Sequence, residues 1–404
     1  YAWRIMHTSR LAMPAAVGLF LSGCLAPPAE HAVRWPGLRP DGSVLLPNQW
    51  SLRPAGAQLR LGDFPVHIAL HPAGRHAAVL HCGYGPHEIV VVDLQTGAIV
   101  SRLKIAEAFY GLVFDAAGER LYCSGASAEC VRVLMFADGK LAPEREIPLR
   151  DPQRRGIPGG LALSADGRRL AAANVWGQDV SLVDLAGGAV TNLPIGAPDA
   201  LVSAGATGVT TNLDADAIIK RAAAALDPAR PEAPFPFACR FDDARNRLYV
   251  SLWAQASVAV IDLKTLTIAA RWPVEEHPCE MVLSRDGRHL FVANANRNTV
   301  TVLDAQSGRA VETLSSSLHP AMPPGSTPNS LALSPDGRTL YVANACNNTV
   351  AVFDVAEPGR SRSLGLIPTG WYPTSVRVTA DGRRLLVANG KGDISSANPK
   401  GPQP

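Results

Sequence analysis

Five polar residues of this 404-residue chain stand where chemistry could be done. His67, Glu280, Ser330 and Ser375 each lie two residues after a proline (Pro65, Pro278, Pro328 and Pro373), and Asn329 lies one residue after Pro328. These prolines hold the same place in a recurring strand–turn–strand phrase, so register, not closeness in sequence, would gather the five. An imidazole, a carboxylate, an amide and two hydroxyls aimed at one point would hold a small polar ligand by hydrogen bonds. His67 and Glu280 would also offer a metal two ligands, fewer than a protein metal site supplies. The plainer reading is a lumen lined by water and small polar groups, and the residue types favour it. No catalytic residue, metal ligand or cofactor is assigned. The chain has no GxSxG, HExxH, P-loop or dinucleotide fingerprint, and no cysteine–histidine group with zinc spacing.

The phrase that must position these residues is clearest in SPDGRTLYVANACNNTVAVFD, residues 334–354. Asp336-Gly337 marks a hairpin turn between short apolar runs, and Cys346-Asn347-Asn348 marks a second turn before Val350 to Phe353. A lone hairpin of this kind is marginal in water. The phrase recurs as HPAGRHAAVL (71–80), FDAAGERLYCS (114–124), SADGRRLAAAN (164–174), FDDARNRLYVS (241–251), SRDGRHLFVAN (284–294) and TADGRRLLVAN (379–389). Aligned on Ala77, Leu121, Leu170, Leu248, Leu290, Leu340 and Leu385, the copies fall 42 to 50 residues apart, with one step of 78. A period in the forties with four strands per unit predicts an all-β chain: a seven-bladed β-propeller of four-stranded blades, stacked because one blade cannot bury both faces.

A proline opens most inner strands at a fixed offset, at Pro65, Pro158, Pro236, Pro278, Pro328 and Pro373, with Phe109 in its place in blade two. Proline suits a strand's first residue, where no ladder donor is needed. Material for the last blade is short, so VLLPNQWSL (44–52) and GAQLRLG (56–62) are expected to close the ring onto blade seven and protect its edge. The long step predicts an insertion near 198–234 with a short helix at Ile218–Leu226. Asn174, Asn294, Asn344 and Asn389 end second strands and are read as turn caps; the aspartates ending third strands, such as Asp304, recur and are read as scaffold. His277 and His319 precede blades five and six and could face the same rim as His67.

Composition bounds the partners. The chain is 47% hydrophobic and 18% charged with a formal charge of +3, and no basic stripe is interleaved with aromatics, so no nucleic-acid partner is expected. A single copy binding a protein, peptide, glycan or small molecule is the expectation. Arg4, His7 and Arg10 precede the apolar stretch Leu11–Leu21, which has the layout of a secretory signal and is too short to span a membrane. Beyond residue 24 six cysteines remain. Cys123 and Cys130 flank one expected hairpin and form a candidate disulfide in an oxidising compartment.

Leu21-Ser22-Gly23-Cys24 resembles the lipobox of bacterial lipoproteins. The resemblance implies a signal over 1–23, lipidation of Cys24, a linker over 24–43 and a propeller over 44–392. Leu25 after the cysteine implies outer-membrane sorting, with the chain in the cell envelope, facing periplasm or surface, and touching the membrane only through its lipid. The second-strand ending Tyr-Val-Ala-Asn (341–344), with its variants Phe-Val-Ala-Asn (291–294) and Leu-Val-Ala-Asn (386–389), resembles the YVTN repeat of YncE-like bacterial seven-bladed propellers, over roughly 64–392. The C-terminal run IPTGWYPTSVRVTADGRRLLVANGKG resembles the propeller half of bifunctional proteins in which such a ring is joined to an alkaline-phosphatase-superfamily phosphoesterase. Residues 393–404 are then a tail or the start of a linker, and no hydrolytic residue carries over. The function expected is an envelope-anchored binding or scaffold module. The alternative, from the ring's resemblance to lactonase-type propellers, is a hydrolase acting on a sugar lactone at the central channel mouth.

Overall fold

The structure is a computed structural model that describes residues 35–196, 233–319 and 322–392. The lipidation candidate Cys24 and the helix expected at 218–226 lie outside the described residues. The described chain from Pro36 onward is all-β, a ring of seven antiparallel blades. The inner strands are Pro65–Leu70, Leu112–Phe114, Pro158–Leu163, Pro236–Asp242, Pro278–Leu283, Pro328–Leu333 and Trp371–Val378. Blades one to six are four-stranded meanders, and blade seven consists of Trp371–Val378 paired with Leu385–Gly392.

The repeated turn explains why the phrase is written as it is. Asp336 accepts from the Ser334 hydroxyl and from the Arg338 amide, and Gly337 takes φ +73° to complete the turn. Asp166, Asp286 and Asp381 do the same with Ser164, Ser284 and Thr379. The alternating apolar residues of neighbouring blades then meet in layers. Between blades five and six, Phe291, Val302, Leu340 and Phe353 form one such layer, and each other pair of adjacent blades has its own.

Two expectations change. The N-terminal segment does not add strands to blade seven's ladder. Gly37–Leu38, Val44–Leu45 and Ser51–Leu52 pair only with one another, because Val44, Leu46 and Leu52 find their burial locally, against Trp371. Leu61 does reach the layer between blades seven and one, beside Leu386 and Ala388. The second concerns Cys123 and Cys130, which are both free thiols. Strand pairing sets Cys123 opposite Arg132, and the Gly125 amide bonds the Cys130 carbonyl, so the two cysteines are diagonal neighbours. The asparagines also do more than cap. Asn294 is fully buried and donates to Thr299 and Thr301 on the third strand, tying two strands together.

Blades two to four approach closely at the axis, and glycine permits it. A methyl group on Gly160 would stand 2.5 Å from the Phe237 carbonyl oxygen and 2.8 Å from the Ala238 Cα. Backbone cannot yield as a side chain end can, so Gly160→Ala is expected to lower stability by about 1–3 kcal/mol. Urea unfolding checks this, and a change under about 0.5 kcal/mol would mean the inner strands are free to spread.

Candidate functional site in the central channel

Counted from the opening proline as the first residue, His67, Glu280, Ser330 and Ser375 hold the third place and Arg240 and Arg377 the fifth. Three of the five candidates, His67, Glu280 and Ser330, meet around Arg377, which is not among them. Arg377 of blade seven donates from Nη2 to Glu280 Oε1 of blade five at 2.6 Å and shares 2.8 Å with His67 Nε2 of blade one. Its Nη1 lies 3.1 Å from Ser330 Oγ and its Nε donates to the Ile68 carbonyl at 3.0 Å. Ser330 donates to Glu280 Oε2 at 2.5 Å and accepts from the Val376 amide at 3.1 Å. Ser375 accepts from the Ile68 amide at 3.2 Å, so it stitches blade seven to blade one. Asn329 stays outside this group. Its Nδ2 donates to the Pro373 carbonyl at 3.3 Å, and its buried Oδ1 has no hydrogen-bond partner. His277 stacks on Trp253 at a ring separation of 3.7 Å.

The protonation states follow from these contacts. His67 Nδ1 lies 3.0 Å from the Tyr110 carbonyl, which can only accept, so the ring proton is on Nδ1 and Nε2 accepts from Arg377. Burial, with Arg377 second, pushes the His67 pKa down to about 3, so the ring is neutral. Burial works against a charge on Glu280, but the Arg377 charge, with hydrogen bonds from Arg377 and Ser330, outweighs it and holds the carboxyl below its ordinary value. Burial also opposes the charge on Arg377, and Glu280 again wins. The centre is therefore a carboxylate, a guanidinium and a neutral imidazole. The Tyr110 ring packs on His67 at 4.7 Å and on Phe237 at 5.0 Å.

Below this network, toward the ends of the inner strands, lies a cavity of about 250 Å³. Glu280 and Arg377 bound it together with Arg240 of blade four, and Val282, Ala332, Leu333 and Val378 supply apolar wall. Arg240 is open to water in the lumen although protein surrounds it, and it makes no hydrogen bond or ion pair among the described residues. The concavity thus lies on the far side of the network from the mouth that the sequence reading favoured. Arg240 and Arg377 each stand four residues after the opening proline, where the other blades have Ala69, Val113, Ala162, Val282 and Ala332. Two arginines in that otherwise apolar column were the available signal.

The rim of the mouth has its own regularity. The residue before the opening proline is Phe64, Ile157, Phe235, His277, Thr327 or Tyr372, each at φ between +46° and +65°. This left-handed turn aims the carbonyl back at the next hairpin, as in Ala295 N to His277 O at 2.9 Å and Cys82 N to Phe64 O at 3.1 Å. It serves the scaffold.

These features define a seven-bladed β-propeller with a charged central channel. Residues 278–396 match the family model described as Lactonase, 7-bladed beta-propeller, a stretch that contains Glu280, Ser330 and Arg377 but neither His67 nor Arg240. No curated protein matches the chain. Among solved structures it is similar to a chain of Kuenenia stuttgartiensis hydrazine synthase, at 16% identity and TM-score 0.61, covering 83% of this chain and 95% of that one. The β-propeller domain of Myceliophteria thermophila Cps50 (Swd1) aligns at 14% identity and TM-score 0.62, covering 85% and 97%, and U3-55K at 11% and 0.61, covering 82% and 90%. At such identities the likeness is one of fold.

Proposed function

We propose that this propeller is a binding module that takes a small molecule in its central channel and performs no chemistry on it. The observation that carries this reading is the state of Glu280. One of its oxygens is engaged by Arg377, and the other by Ser330 and the Leu331 amide at 2.9 Å. His67 is neutral with both nitrogens occupied. Opening a lactone with water calls for a base free to take a proton, and neither group is free. The lipobox resemblance at Leu21–Cys24 supports an envelope anchor, with outer-membrane sorting, and the C-terminal resemblance supports service as the propeller half of a phosphoesterase-linked protein.

A second reading, lactone hydrolysis at the channel, is favoured by the family match over 278–396. The two part on one assay. With sugar lactones, proton release is expected to run at the buffer rate for the wild-type protein. A rate above buffer that disappears in Glu280→Gln would overturn the binding reading in favour of hydrolysis.

A further inference from the structure

We propose that the cavity beneath the Arg377–Glu280 network is a receptor for one small organic carboxylate, with Arg240 as its anion-binding residue. This names the ligand class for the binding reading above and rests on it. Charge is the first argument. Two guanidinium groups and one carboxylate bound the cavity, His67 above them is neutral, and Glu280 is already committed to Arg377. One positive charge is left over, on Arg240. That guanidinium faces the water of the lumen with no hydrogen bond or ion pair among the described residues, so its donors are free for an anion that enters the cavity. Burial, the largest influence, depresses the Arg240 pKa; Glu280 works against it and Arg377 with it, and the balance stays low.

Shape and wall chemistry narrow the anion. A guanidinium presents paired N–H donors that match the two oxygens of a carboxylate. The remaining wall is Val282, Ala332, Leu333 and Val378, which offer a phosphate dianion no further cations and suit a short hydrocarbon body. The volume, about 250 Å³, equals roughly eight waters and falls below the range of drug-sized pockets. The cavity therefore fits a compact monocarboxylate that enters by the strand-end side, its carboxylate against Arg240 and its body against the aliphatic wall.

Calorimetric titration of the full chain in chloride-free buffer tests this, with butyrate, isovalerate and benzoate, the matching amides, and inorganic phosphate. Arg240→Met removes the cation, and Ala332→Phe or the milder Val282→Leu fills the cavity; circular dichroism and melting show which variants fold. We expect at least one carboxylate to bind, its amide about tenfold to a hundredfold more weakly, and both Arg240→Met and the filled variants to lose the carboxylate. Amides that bind as well as carboxylates, keep binding in Arg240→Met and lose it in the filled variants would overturn the anion assignment while leaving a ligand-binding channel. Phosphate binding tighter than every carboxylate would also overturn it. If no probe binds, or binding survives filling of the cavity, the ligand class and the cavity as the binding site both fall.

Discussion

Arg377→Met is expected to cost the ring about 3–5 kcal/mol, measured as the difference in unfolding free energy in urea. The guanidinium holds four blades at once through Glu280, Ser330, the Ile68 carbonyl and His67. Its side chain is 17% exposed and that of Glu280 15%, so removing one partner leaves the other charged and shielded from water. The location raises the stakes. Among the described residues blade seven has two strands, and its inner strand bonds blade one directly, Thr374 to the Pro65 carbonyl at 2.5 Å and Ser375 to the Ile68 amide. Pairing Glu280→Gln with Arg377→Met is expected to return much of the loss, since a neutral amide has far less need of the guanidinium. Arg240→Met is the contrasting control. Arg240 makes no hydrogen bond or ion pair among the described residues, and its removal should leave stability nearly unchanged. Equal losses in Arg240→Met and Arg377→Met would mean the two arginines share a structural task, and the division between a keystone and a receptor would collapse.

What was legible in the sequence was the part that repeats. Each Ser-x-Asp-Gly turn and each opening proline follows from contacts within one blade, and local contacts leave a local mark. His67, Glu280, Ser330 and Ser375 could be gathered for the same reason, by counting from a proline. Arg377 and Arg240 stand two residues beyond those positions, where a strand returns to the same face. The state of Glu280 was not legible at all, because its hydrogen-bond partners come from two other blades. The N-terminal strands misled for a related reason. The apolar pattern of 44–52 requires burial but does not name the surface, and a three-strand meander against Trp371 satisfies it as well as a seventh-blade ladder would. The cysteine pair failed on register. The turn at Ala126–Ala128 and the left-handed Glu129 place Gly125, not Cys123, across from Cys130.

Acid is expected to weaken the ring through His67 before it reaches the carboxylates. The folded protein holds this imidazole at a pKa of about 3, against an ordinary value of 6.5, by burial first and Arg377 second. Between those values the unfolded chain binds a proton that the folded ring refuses, so stability rises with pH across the window and falls as pH is lowered through it. The slope approaches about 1.4 kcal/mol per pH unit once the unfolded imidazole is fully charged. Glu280 acts in the same direction below its ordinary value of 4.5, since its folded pKa is depressed as well. His76, His81 and His277 are also held low by burial and steepen the total. The informative quantity is therefore the difference between wild type and His67→Gln, whose amide oxygen can accept from Arg377 without taking a proton. Urea unfolding at steps from pH 7.5 to 4.5 is expected to give parallel stabilities above pH 6.5. Below it, wild type should lose ground to the variant by roughly 2–3 kcal/mol at pH 4.5. Curves that stay parallel throughout would mean the imidazole accepts a proton within the fold. Arg377 could not then donate to it, and the neutral His67 on which the binding reading depends would have to be abandoned.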